Sequence, residues 1–188
     1  MKSIKPGPKS YKTPPILSNN PLLLQTLFMT KRFFIFMGII GLLLLTSNNL
    51  TAQSRAAFYS ALASSSVKTI DAQIGQVSAY ATAAETPAFI GALEMRKAGL
   101  VTVPAKKLSI FKQGHKKLEA AIAAHPKEAE YRFLRLMIQE NAPKSLGYSK
   151  NITEDSKMVF DQFAALPAVT QQSVKSYSKK SKSLSGLL

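Results

Sequence analysis

The sequence predicts an all-α protein, an irregular bundle of six or seven short helices in one helical domain over residues 53–183. Three observations lead there. Apolar residues recur at spacings of three and four, which places them on one face of a helix. Proline, glycine and serine interrupt that pattern at short-helix lengths, as helix starts and stops do. No stretch sustains the apolar–polar alternation of a half-buried strand.

Composition narrows the chemistry. Of 188 residues, 46% are apolar, enough to build a sizeable core. Lys and Arg outnumber Asp and Glu by 25 to 10, for a net charge of +15. Six cations (Lys2, Lys5, Lys9, Lys12, Lys31, Arg32) and no acid precede residue 53, leaving 19 cations against 10 acids, or +9, in the rest. Such a balance favours loose attraction to anionic surfaces and does not bear on the fold. The chain has no cysteine. Disulfides, thiolate zinc sites, a cysteine nucleophile and the lipid-bearing cysteine of a bacterial lipoprotein are thereby excluded.

The N-terminal part reads as a leader. Met29-Thr30-Lys31-Arg32 is a charged start, Phe33 to Leu45 is a run of 13 apolar or glycine residues, and a polar stretch with small residues follows. A spanning helix needs roughly 20 apolar residues, so the run suits a secretory signal over residues 29–52, cleaved after Ala52. An uncleaved N-terminal anchor is the alternative. We therefore expect export to the periplasm or the extracellular space, and no membrane span once the signal is removed. Residues 1–28 hold five prolines, four lysines and few apolar residues before Leu22. They read as an over-extended start ahead of Met29 or as a disordered segment.

In the exported part, Phe58 and Leu62 share a helical face, and Ser64-Ser65-Ser66 can end that helix and cap the next. Val67, Ile70, Ile74, Val77 and Ala81 form a seam at spacings of 3, 4, 3 and 4. Thr86-Pro87 marks a helix start, Phe89, Ile90 and Leu93 face inward, and Gly99 is a stop. After the extended link Leu100–Val103, Pro104 opens a helix whose seam is Leu108, Phe111, His115, Leu118 and Ile122, with lysines on the other faces. His125-Pro126 breaks it. The following helix is apolar around most of its circumference, except for a stripe of Glu128, Arg132, Arg135 and Gln139, and should be the most buried. We expect these two helices to fold back on each other as the centre of the domain. Asn141-Ala142-Pro143 ends the second, and residues 144–150 form a loop with Gly147 and Tyr148. Asn151 with Glu154 is a capping-box-like start to a helix facing inward through Val159, Phe163 and Leu166. Pro167 precedes a last helix with Val169, Val174 and Tyr177; Ser178 to Ser183 should fray, and 184–188 is a tail.

Gly114-x3-Leu118-x2-Ala121-x4-Pro126 resembles the second helix and closing proline of a tetratricopeptide repeat. The likeness covers 13 residues of one repeat. It implies a single tetratricopeptide-like helical hairpin rather than an array, since at least three repeats are needed to bury a solenoid core. The segment from Glu130 to Tyr148, EYRFLRLMIQENAPKSLGY, is similar to one shared by a group of uncharacterised exported bacterial proteins. That second resemblance implies no activity.

No catalytic constellation emerges. His115 and Glu119 stand four apart and could share a metal with His125. His115, however, falls on the apolar seam, and His125 sits where a histidine favours a helix C-terminus. A G-x-S-x-G elbow and a glycine-rich phosphate loop are both lacking. The candidate binding residues are Arg132 and Arg135, one turn apart on a mostly buried helix, with Tyr131 and Tyr148 beside them. Two such arginines can clamp a carboxylate or phosphate, or pair internally with Glu128, Glu140 or an acid from a neighbouring helix. We expect no metal, no cofactor and no nucleic acid. The function expected is a non-enzymatic module binding a protein or peptide, or alternatively a basic protein associating with an anionic envelope surface or polymer.

Overall fold

A computed structural model describes Gly7 and residues 52–186. The expected start segment 1–28 (apart from Gly7) and the signal peptide 29–52 (apart from Ala52) lie outside the described residues. Residues 47–188 form a compact unit of their own. It contains seven α-helices, with no strand among the described residues. They are α1 (52–63), α2 (Val67–Tyr80), α3 (Glu85–Leu100), α4 (Pro104–Ala124), α5 (Ala129–Asn141), α6 (Ile152–Asp161) and α7 (Ala168–Ser178). Short 3-10 turns at Lys144–Leu146 and Phe163–Ala165 follow α5 and α6. Among the described residues, no helix is long and apolar enough to cross a membrane.

Local chemistry sets most boundaries. Ser66 caps α2, its hydroxyl accepting from the Thr69 amide at 3.2 Å. The start of α3 is fixed by a reciprocal box: the Glu85 amide donates to Thr82 Oγ1, while the Thr82 amide donates to Glu85 Oε2. This places the start at Glu85, one residue before the Thr86-Pro87 pair, with Pro87 still in the first turn. Pro104 occupies the first turn of α4, where its missing N–H is not needed. At the end of the Lys144 turn, Gly147 takes φ 61, a left-handed conformation that a side chain would strain. Asn151 differs from expectation: its side chain makes no cap for α6 and instead meets Gln139, which leaves the first turn of α6 to its acids.

The helices enclose one core. Phe58, Phe89, Phe133, Leu93, Leu118, Leu134 and Leu136 are fully buried, each stabilising the fold by about 1.5–3 kcal/mol over exposure. Phe58 of α1 stacks on Phe89 of α3 at 4.4 Å. The tightest helix pairing is α3 with α4, not the expected fold-back of α4 on α5. Gly91 and Gly114 explain it. A Cβ on Gly114 would lie 2.6 Å from the Gly91 carbonyl oxygen, so the two backbones touch where neither residue has a side chain. The C-terminal half of α4 buries Leu118, Ala121 and Ile122 as its seam predicts. Its N-terminal half does not: Leu108 is 44% exposed, because that end projects past the core.

Helix α5 is the axis. It packs on α3, α4 and α6, and Phe133 meets Tyr59 of α1 and Tyr177 of α7. Every residue from Ala129 to Leu136 is buried. Most of the stripe expected to stay wet is buried as well, with Arg132, Arg135 and Gln139 inside and Glu128 exposed. The C-terminus also departs from a fraying tail. Ser181 and Ser183 donate to Glu140, and Leu184 is fully buried, so the chain is held to the body through Leu184.

Candidate functional site

Two buried charge clusters fix α5 to its neighbours. In the first, Asp155 of α6 is wholly buried and receives Arg135 bidentately, Nε at 2.7 Å on one oxygen and Nη2 at 2.7 Å on the other. Arg132 adds a third bond to Asp155 from Nη1 at 3.2 Å and donates from Nε and Nη2 to the Pro126 carbonyl. Glu154 lies within salt-bridge reach of Arg132. The remaining Arg135 nitrogen meets Glu119 of α4 at 2.9 Å, and the other oxygen of Glu119 accepts from the Tyr148 hydroxyl at 2.6 Å. Burial works against the Arg135 charge, but Asp155 and Glu119 outweigh it and raise its pKa further. The Tyr148 hydroxyl is pushed far above its ordinary range by burial and then by its bond to Glu119.

The second cluster centres on Glu130, 3% exposed. One oxygen accepts from Tyr59 of α1 and Thr170 of α7, both at 2.7 Å, and the other from Arg55 of α1. Arg55 reaches on to Glu85 of α3 at 2.6 Å. Burial alone would lower the Arg55 pKa, but Glu130 and Glu85 raise it. Burial and the adjacent Glu130 push Tyr59 well above its ordinary value.

The four candidate binding residues are thus brought together only in part. Arg132, Arg135 and Tyr148 share the first cluster, which holds an internal carboxylate, Asp155, rather than an open clamp. Tyr131 is buried elsewhere, its ring edge-on to His125 at 6.2 Å, and burial raises its pKa to about 12. His115 lies against the rings of Tyr148 and Phe111, while Glu119 is turned to Arg135 and Tyr148. Among the described residues, no group of three or more His, Cys, Asp or Glu is placed to hold a metal ion.

An open groove lies elsewhere, between α1, α5 and α7, with a volume of about 460 Å³. Leu62, Ala63, Met137, Ile138 and Val169 supply apolar lining, and Tyr177 and Asn141 supply polar atoms, bonded to each other at 3.0 Å. Two cations line it. Arg96 is steered there by the end of α1, donating to the Leu62 and Ser64 carbonyls at 3.1 and 2.7 Å. Its Nη1 has no hydrogen bond among the described residues. Lys180 sits over the Tyr177 ring at 5.3 Å. No acid lines the groove. Sequence reasoning missed it, because the groove is assembled from four separate segments and no single stretch shows it. Glu130 was passed over too, although its place on the same stripe as Leu134 and Ile138 was the signal that could have found it. The chain matches no family model, no curated protein and no solved structure.

Proposed function

We propose that this is an exported, non-enzymatic helical module that binds an apolar peptide segment bearing negative charge in the groove between α1, α5 and α7. The observation that carries the reading is the groove's lining: apolar side chains, with Arg96 and Lys180 beside them and no acid. An amphipathic segment laid into such a groove buries its apolar side chains, while its carboxylates meet the two cations. The arginine pair is a poor candidate for the ligand, since its nitrogens are engaged by Asp155, Glu119 and the Pro126 carbonyl. Export rests on the leader at residues 29–52.

Selection from a displayed random-peptide library tests the reading. The expected winners combine apolar residues with Asp or Glu, and their binding weakens at least tenfold in Lys180→Glu and in Arg96→Gln. Enrichment of basic peptides, or binding unchanged in both variants, would overturn it.

A further inference from the structure

The projecting end of α4 carries a second surface. Every residue from Thr102 to Ser109 is exposed, including Val103 at 55% and Leu108 at 44%. Leu108, Lys112 and Lys116 follow one another at intervals of four along one side of the helix. Lys106 and Lys107 flank them. None of these four lysines has an ion pair among the described residues, whereas Lys117 is taken by Glu94. The one acid on α4, Glu119, is turned inward to Arg135 and Tyr148. The loop after α5 lies against the same half of the helix, since Tyr148 packs on His115 at 4.8 Å and on Phe111 at 5.7 Å. Two residues before Tyr148 it exposes Leu146 at 41%, between Lys144 and Lys150.

We propose that this end of α4 docks on the surface of an anionic lipid bilayer. Uncovered apolar side chains among unpaired lysines match an interface in which hydrocarbon takes the apolar groups and headgroup phosphates take the ammonium groups. The lysine stems lie along the apolar layer while their charges reach back to the headgroups. A second copy of the chain brings the same unpaired lysines and is repelled. A soluble polyanion neutralises the charge but leaves Val103 and Leu108 in water. This surface is separate from the α1–α5–α7 groove and does not depend on it.

The absence of cysteine lets a single probe be placed in the full chain. Val103→Cys, labelled with a polarity-sensitive fluorophore, should shift to the blue with vesicles of equal parts phosphatidylglycerol and phosphatidylcholine, and not with phosphatidylcholine alone. The same label at Gln76→Cys, exposed on α2, should not respond. Changing Lys106, Lys107, Lys112 and Lys116 together to Gln should weaken the partitioning at least about a hundredfold, since each lysine near an anionic surface contributes roughly fivefold. All four side chains are exposed, and Lys117, paired with Glu94, is left in place, so far-ultraviolet circular dichroism should be unchanged. Four results overturn the proposal: no shift at Val103, an equal shift on neutral vesicles, an equal shift at Gln76, or a shift retained by the glutamine variant. A shift with soluble polyphosphate alone also overturns it and assigns the surface to a polymer.

Discussion

Gly114→Ala and Gly75→Ala are the same substitution in two helices and should have opposite effects. At Gly75, mid-way along α2, an added methyl meets nothing within 4 Å. Only the backbone preference then changes, and alanine should stabilise by about 0.5–1 kcal/mol. At Gly114 the same gain is offset. The new Cβ would stand 2.6 Å from the Gly91 oxygen, 2.8 Å from Met95 Cγ and 2.9 Å from the Met95 amide, against the 3.4 Å at which ordinary contact begins. Met95 can adjust its side chain, but two of the three obstacles are backbone, so α3 and α4 must part by about 0.8 Å to fit it. Overpacking of this kind costs about 1–3 kcal/mol, and backbone obstacles place it at the upper end. The net loss should be about 1–2 kcal/mol, or a fall in Tm of about 3–10 °C for a domain of this size. Gly91→Ala should behave alike, and the double variant should lose less than the two losses combined, because both methyls open one gap. Urea unfolding followed by far-ultraviolet circular dichroism measures all four. A Gly114→Ala midpoint at or above that of the unaltered protein would refute the close α3–α4 approach.

Other perturbations probe the buried charges. Asp155→Asn removes the carboxylate that two arginines share at full burial, and should cost about 3–5 kcal/mol in the same urea assay. Tyr59 and Tyr148 are held protonated by burial and by Glu130 and Glu119. Their folded pKa values lie above the unfolded value of about 10, so the unfolded chain loses these protons first and stability falls as pH rises past it. Near pH 11 each should cost the fold about 1.4 kcal/mol, seen as tyrosinate absorbance that appears together with unfolding rather than before it. Glu140 shifts the other way. Burial alone would raise its pKa, but bonds from Ser183 and Ser181 leave it lowered. The anchor of residues 181–184 is therefore present above the ordinary glutamate pKa and lost as pH falls through the lowered value. Amide exchange at Ser183 and Leu184 should accelerate on acidification ahead of global unfolding, and Glu140→Gln should bring the same acceleration at neutral pH.

The helical character of the domain was legible because it is local. Ser66, Pro104 and the break at His125-Pro126 each act within a turn, and the seam through Ile70 and Val77 needs only the helical period. Partners were less legible. The α4 seam predicts that Leu118 and Ile122 are buried, but says nothing of which helix covers them. Gly91 and Gly114 decide that, and glycine inside a helix reads as a weakness until a second backbone is seen against it. The same holds for charge. Arg132 and Arg135 invite two readings because a clamp on a ligand and a clamp on Asp155 use the same atoms. Only the approach of α6 separates them. Leu184 was read as tail because it follows a basic, serine-rich run, yet those serines are the donors that Glu140 needs.

The two charge clusters bear on why α5 is so fully buried. Ion pairs this deep contribute little net stability compared with apolar packing, because desolvation cancels most of the attraction. Breaking one partner is a different matter, since it strands a charge. Arrangements of the bundle that fail to bring Asp155 to Arg135, or Tyr59 and Thr170 to Glu130, therefore carry a penalty of several kcal/mol that an all-apolar axis would not impose. Each cluster ties at least three segments: α4, α5 and α6 in one, and α1, α3, α5 and α7 in the other. Between them they set the position of every helix except α2. The groove follows from this, because α1 and α7 are both held to α5 through Glu130, and the groove is the space those three helices leave. Substituting Glu130 with Gln should then loosen the groove along with the fold, whereas Asp155→Asn should destabilise the protein and leave peptide affinity per folded molecule unchanged. Peptide titration of both variants below their unfolding midpoints separates the two, and equal loss of affinity in both would show that the groove is not set by the Glu130 cluster.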